Sequence, residues 1–171
     1  MAFNAGYHKR ETRRVYVLRG FDGCEPTTFT RTAPTDVQIL SGEVISLDDG
    51  KWVKGAAAGK VPYIALSDYN DTDVNASGLL PALSCAGKFE IETVAYVADT
   101  YAEDDALVAA TAGNAGKLAK GALNGSTDIV GFASRGGLNN LNGTPGPKRE
   151  VNADTATVLT FITNWQPKNA A

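Results

Sequence analysis

Short apolar runs alternate along this chain with turns carrying glycine or proline, and the runs are too brief and too β-branched for helices. Val15–Leu18 is the first strand candidate. Val37–Leu40 and Val44–Leu47 follow, joined at Ser41-Gly42, and Asp48-Asp49-Gly50 then supplies a hairpin signal. Lys88–Val97 shows the plainest alternation. Phe89, Ile91 and Thr93 take one face, and Lys88, Glu90 and Glu92 take the other, which predicts a strand with a charged, solvent-facing side. Ala102–Ala110 fits a helix face or a strand by spacing alone. In Thr155–Trp165, Val158 and Ile162 share one face while Leu159, Phe161 and Trp165 share the other. A strand apolar on both sides is buried on both sides, within the fold or against a neighbouring subunit. Polar, turn-rich stretches at Gly20–Thr35, Ser67–Gly78 and Ser134–Lys148 read as loops.

One phrase occurs twice. GKWVKGAAAG at Gly50–Gly59 and GKLAKGALNG at Gly116–Gly125 agree at both lysines, three glycines and one alanine. Each copy is flanked by apolar runs: Gly42–Leu47 and Tyr63–Leu66 around the first, Asp105–Ala110 and Ile129–Phe132 around the second. The repeat settles Ala102–Ala110 as a strand in its second half, and it predicts two related β units in equivalent positions.

Hydrophobic residues make up 43% of the chain, enough for a packed interior. The 18 glycines and seven prolines are scattered, as an all-β fold requires. With 171 residues and no long linker, the chain reads as one β domain over 15–171 behind an extended arm over 1–14. The net charge is −3, but Lys9, Arg10, Arg13, Arg14 and Arg19 crowd the N-terminal end with only Glu11 opposing them. A basic arm on an acidic body suits an acidic protein surface better than a nucleic acid, whose backbone the body would repel. No apolar run approaches the ~20 residues of a membrane helix, and the first residues lack the apolar core of a secretory signal, so a soluble, unexported protein is expected. Cys24 and Cys85 have no metal-like spacing and read as free thiols, with a single disulfide left open.

Candidate chemistry is sparse. His8 is the sole histidine and lies in the arm, away from any fixed nucleophile, and one histidine cannot complete a zinc site. Gly55–Val61 lacks the spacing and the hydroxyl of a phosphate-binding loop, and Pro62 blocks a following helix. Asp68, Asn70, Asp71, Asp73 and Asn75 offer hard oxygen donors, but without the glycine and glutamate of a calcium loop they read as a self-capped turn. No cofactor and no metal is expected, and no catalytic residue is assigned.

The stretches GEVISLDDGKWVKGAAAGKVPYIAL and GKFEIETVAYVADTYAEDDALVAATAGNAGKLAKGALNGSTDIVGFA resemble the head decoration, or cement, proteins of tailed bacteriophages over Gly42–Ala133. The resemblance implies a small β-barrel or β-tulip domain on the outer capsid surface, made in the host cytoplasm. It further implies a homo-oligomer, a trimer by preference, that bridges major capsid protein subunits without catalysis. Capsid contact is then expected from Phe3, Tyr7, Lys9, Arg10, Arg13 and Arg14 of the arm, and contact between copies from Leu159, Phe161 and Trp165. The competing expectation is a phage tail or fibre-base domain, or a carbohydrate-binding β module using Trp52, Tyr63, Tyr69 and Trp165.

Overall fold

The structure, a computed structural model, describes residues 14–23, 28–32, 38–69, 79–134 and 158–168. These residues form eleven strands: β1 (Val15–Gly20), β2 (Thr28–Thr32), β3 (Val44–Asp48), β4 (Lys51–Lys54), β5 (Tyr63–Ala65), β6 (Leu79–Ser84), β7 (Phe89–Thr93), β8 (Ala106–Ala109), β9 (Leu118–Lys120), β10 (Ile129–Ala133) and β11 (Leu159–Gln166). The helical element among them is one 3-10 turn, Ala112–Asn114. The all-β class read from the turn-punctuated pattern is the class the chain adopts.

The strands form two sheets whose ladders are antiparallel. One runs β1-β7-β11-β10-β8-β9, and the other β2-β6-β5-β3-β4. The second sheet curls until β4 meets β2, but that meeting is one parallel pair, Thr32 with Lys51. Among the described residues its barrel wall therefore has a seam one residue pair wide. The first sheet curls in the same way, with a parallel bridge between Tyr96 and Leu118 beyond the end of β7.

Without β1, the two sheets have one topology. Strands β2, β3, β4, β5 and β6 correspond in order and pairing to β7, β8, β9, β10 and β11. The predicted repeat is thus present, and it covers a complete five-stranded module twice. Hydrogen bonds fix the correspondence residue by residue. Gly55 N–H donates to Val44 O at 2.8 Å, and Gly121 N–H to Ala106 O at 2.8 Å. Ala65 N–H donates to Glu43 O, and Ala133 N–H to Asp105 O, both at 2.9 Å. The turns differ in build. In the first module Asp49 and Gly50, with φ of 46° and 74°, close a two-residue hairpin, the positive-φ pair that such turns demand. In the second module the 3-10 turn does the same work with a longer link.

Each module encloses an apolar interior. Ile39, Ile45, Trp52, Ala65, Leu80 and Ala82 fill the first. Their counterparts Tyr101, Leu107, Leu118, Ala133, Leu159 and Phe161 fill the second. The bulk is redistributed: Trp52 with Ala82 in one becomes Leu118 with Phe161 in the other, a volume-conserving exchange that a packed interior tolerates. The Trp52 indole N–H donates to Leu80 O at 2.7 Å, so its burial leaves no orphan donor.

The modules dock without symmetry. Val44, Ile64, Leu83 and Cys85 lie on the outside of the first module, yet they cluster with the interior residues of the second. Val44 N–H donates to Gly116 O at 2.7 Å across this junction. Asp128 accepts from Gly59 N–H and Lys168 N–H, each at 2.7 Å. Gly42, at φ 88°, presses so close to Thr93 that a Cβ would stand 2.4 Å from its Oγ1.

Four local readings change, the first being Gly20–Thr35, which was read as a loop and holds β2 at Thr28–Thr32. Around Val37–Leu40, Ile39 forms an isolated bridge to Tyr69 in place of a strand, and Val37 lies outside the described residues. The charged side of β7 is not a solvent face, because Glu90 and Glu92 are 3% and 4% exposed. Arg19 Nε donates to Glu90 at 2.7 Å and Ser134 Oγ at 3.0 Å, so the covered carboxylate keeps hydrogen-bond partners. Residues 155–157 lie outside the described residues, so the last strand is seen from Leu159.

Substituting Gly42→Ala should lower stability by about 1–3 kcal/mol, since it combines a positive φ with a steric clash. Urea denaturation with an unchanged m-value is the measurement. A midpoint equal to that of the parent chain would show that the junction relaxes freely.

Candidate functional site

The repeated phrase places a carboxylate and a lysine at matching points of each module. Lys54 Nζ meets Glu43 Oε1 at 3.0 Å, and Lys120 Nζ meets Asp105 Oδ2 at 2.8 Å. Each carboxylate also accepts a backbone N–H from three residues earlier, Leu40 to Glu43 at 2.9 Å and Ala102 to Asp105 at 2.7 Å. Each lysine donates in addition to a carbonyl, Gln38 at 3.2 Å and Thr100 at 3.3 Å. Each arrangement is a structural knot that joins a turn to the neighbouring strand. Burial works to raise the Asp105 carboxyl, but the Lys120 hydrogen bond, the Ala102 N–H and the Lys120 charge outweigh it. The group therefore lies below the ordinary carboxylate value.

The residues expected to carry function are dispersed. Phe3, Tyr7, Lys9, Arg10 and Arg13 lie outside the described residues. Arg14 is anchored to the body: its Nε donates to Ser41 O at 3.2 Å, and its carbonyl accepts from Val94 N–H at 3.0 Å. Arg14, expected as the last residue of the arm, is therefore held on the body. Leu159 and Phe161 are fully buried in the chain's own core, so a neighbour could reach only Trp165 of the three proposed contact residues. Trp165 itself is half-buried against that core, with its backbone N–H on Cys85 O at 3.0 Å. Asp68 accepts from Ser41 N–H at 2.7 Å, and Asn70–Asn75 lie outside the described residues. Among the described residues no three His, Cys, Asp or Glu side chains gather as metal ligands. No described helix is long and apolar enough to cross a membrane.

A surface feature that the sequence did not announce lies on the outer side of the six-stranded sheet. Phe21, Asp22, Lys88, Asp104, Phe132, Ile162 and Asn164 line an open depression of about 350 Å³. Its floor is apolar, from Phe132 on β10 and Ile162 on β11, which are cross-strand partners. Its rim is charged: Lys88 pairs with Asp22 at 3.1 Å, and Arg19 stacks over the Phe21 ring at 4.7 Å. The lining holds no histidine, cysteine or serine, and its polar groups are Asp22, Lys88, Asp104 and Asn164. The one available signal was that Phe132 and Ile162 sit at outward positions of their strands. A register irregularity between Ile129 and Gly131 hid the first of them.

Comparison of the chain with protein-family models, with curated proteins and with solved structures returns no match.

Two outcomes follow from this geometry. Asp105 has a lowered pKa in the folded state, so its contribution to stability is full above the unfolded value and is lost as pH falls through the folded one. Asp105→Asn should therefore flatten the acid side of a stability-versus-pH curve below the ordinary carboxylate range; a curve parallel to the parent's there would dismiss the coupling. Cys85 is sealed, and burial pushes its thiol far above the usual value. Iodoacetamide should leave it unmodified in the folded protein at pH 8 and label it once urea unfolds the chain, as read by peptide mass spectrometry.

Proposed function

We propose that the chain is a non-enzymatic virion structural protein that decorates a phage head, binding its outer surface and bridging major capsid protein subunits. The observation that carries this reading is the continuity of the basic N-terminal arm with β1. Arg14 ties the start of β1 into the body, and β1 is the outermost strand of the six-stranded sheet, pairing there with β7 alone. A charged tether that leaves a doubly built, interlocked β body suits a clamp that works by binding the assembled shell. Such binding stabilises the bound state by mass action. The phrase behind the resemblance to cement proteins is also the phrase that forms the Lys–carboxylate knots. On this reading the protein acts at the outer capsid surface after synthesis in the host cytoplasm, as a homo-oligomer with three copies favoured by the resemblance.

The carbohydrate-binding alternative is left with Tyr63, Tyr69 and Trp165, each partly buried. Trp52 is fully buried, and Tyr63 lies edge-on to it at 4.9 Å. Tyr69 packs on the first module's interior and Trp165 on the main cluster. A tail or fibre-base role shares the requirement for a protein partner, and differs only in where on the particle that partner lies.

The experiment is sedimentation of the chain with expanded, undecorated heads, followed by a cryo-EM map. Density for the chain on the outer shell is expected. Removal of residues 2–13 should lower occupancy at least tenfold, with the deficit narrowing as salt rises and screens the arm's charge in the full-length chain. Heads that sediment bare at saturating chain concentration would overturn the reading, and density confined to the tail would transfer it to the tail alternative.

A further inference from the structure

The depression on the outer side of the six-stranded sheet sets an apolar floor beside an unanswered charge. Its floor residues Phe132 and Ile162 are the counterparts of Ile64 and Leu83, at matching points of the module ladder. Ile64 and Leu83 are sealed, whereas Phe132 and Ile162 keep part of their surface in water. On one rim Lys88 is paired with Asp22, and Arg19 covers the Phe21 ring. On the other rim Asp104 is exposed, and among the described residues its carboxylate enters no ion pair. Asp104 N–H donates to Ala133 O at 3.0 Å, which holds the residue beside Phe132. Such a surface matches a ligand that carries an aromatic ring and a cation side by side.

We infer that in the free chain this depression seats the chain's own N-terminal arm, with Tyr7 on Phe132 and Ile162 and Lys9 on Asp104. The inference concerns the chain before it meets any partner and does not require the capsid reading. Residues 1–13 lie outside the described residues, and the chain enters the body at Arg14, whose carbonyl accepts from Val94 N–H on the sheet that carries the depression. The distance to be covered follows from the register. Glu90, the partner of Ile162, lies four residues before Val94 along the chain, and Phe132 lies three strands across from β1. Together these place Phe132 roughly 20 Å from Arg14. Seven extended residues reach about 24 Å, so Tyr7 spans the gap, while Arg10, four residues out, reaches about 14 Å. Residues two apart in an extended segment point the same way, about 7 Å from each other, so Tyr7 and Lys9 meet floor and rim together. Phe3 also reaches, but the residue two places on is Ala5 and supplies no charge. A segment tethered beside its site meets it at an effective concentration that a second copy or a separate protein does not match.

The test reads the Ile162 methyl and Phe132 ring signals by NMR, in the full chain and in a chain without residues 2–13. Removing the arm should shift both signals. A synthetic peptide of residues 2–13, added to the shortened chain, should return them toward the parent positions in a saturable way. Tyr7→Ala or Lys9→Glu in that peptide should weaken the return at least tenfold. Asp104→Asn in the body should weaken it several-fold, and asparagine tolerates the φ of 65° at this position, so thermal unfolding should stay within a few degrees of the parent. In the full chain a cross-peak between the Tyr7 ring and the Ile162 methyl is expected. Mixing labelled with unlabelled chains should give no such cross-peak between copies. Signals indifferent to removal of the arm overturn the inference, as do substituted peptides that bind like the parent peptide. Cross-peaks found only between copies, or cross-peaks to Ile162 from residues 135–157 in place of Tyr7, overturn it equally. Heads that sediment bare would end the capsid reading and leave this one standing.

Discussion

A carboxylate at the entrance to the second strand of each module ties together chain segments that are distant in sequence. Glu43 and Asp105 each hold the preceding turn through a backbone N–H and hold the neighbouring strand through a lysine, and their own carbonyl accepts from the strand on the other side. Three strands and a turn therefore share one charged residue. The two knots differ in depth: Glu43 is 4% exposed with Lys54 largely covered, whereas Lys120 stands in solvent. Charge pairs in water contribute little, and pairs withdrawn from it hold geometry more firmly once every lone pair is engaged. The first knot, which sits beside the junction at Gly116, is the one withdrawn.

That junction explains the uneven cores. The first module is small inside and closes over a single tryptophan, while the second shares its cluster with the outer face of the first. Val44, Ile64 and Leu83 are buried on the side of β3, β5 and β6 that points away from the first module's interior, which is why they are as apolar as the residues that point inward.

The paired lysines and glycines made the middle three strands of each module legible in the sequence, because hairpin turns and a lysine at a fixed place tolerate few alternatives. The first and last strands of each module were not recognised as repeated. Their equivalence rests on pairing, and the side chains have exchanged volume: Ala82 and Phe161 occupy one position with nothing in common except burial. The alternation in β7 was read correctly as strand and wrongly as half-solvated, since periodicity reports which face a residue takes and not what covers it. Glu90 is covered, with Arg19 and Ser134 supplying its hydrogen bonds from β1 and from the end of β10, residues far away in sequence. The depression escaped notice for a similar reason, as it is assembled from five separate stretches of chain. The two-sided strand at the C-terminal end was recognised, but Leu159 and Phe161, expected at a contact between copies, serve the core, and Ile162 on the other face is half-exposed.

Two identical modules brought together as separate chains around a twofold axis would have to treat their matching faces identically, covering both or exposing both. Joining them covalently removes that obligation. Ile64 and Phe132 occupy the same place in the same fold, yet each answers only to its own surroundings. Selection can shape one for permanent burial and leave the other as a large ring at the surface. The linkage thus gives a small, simple architecture what symmetry denies it: a front and a back.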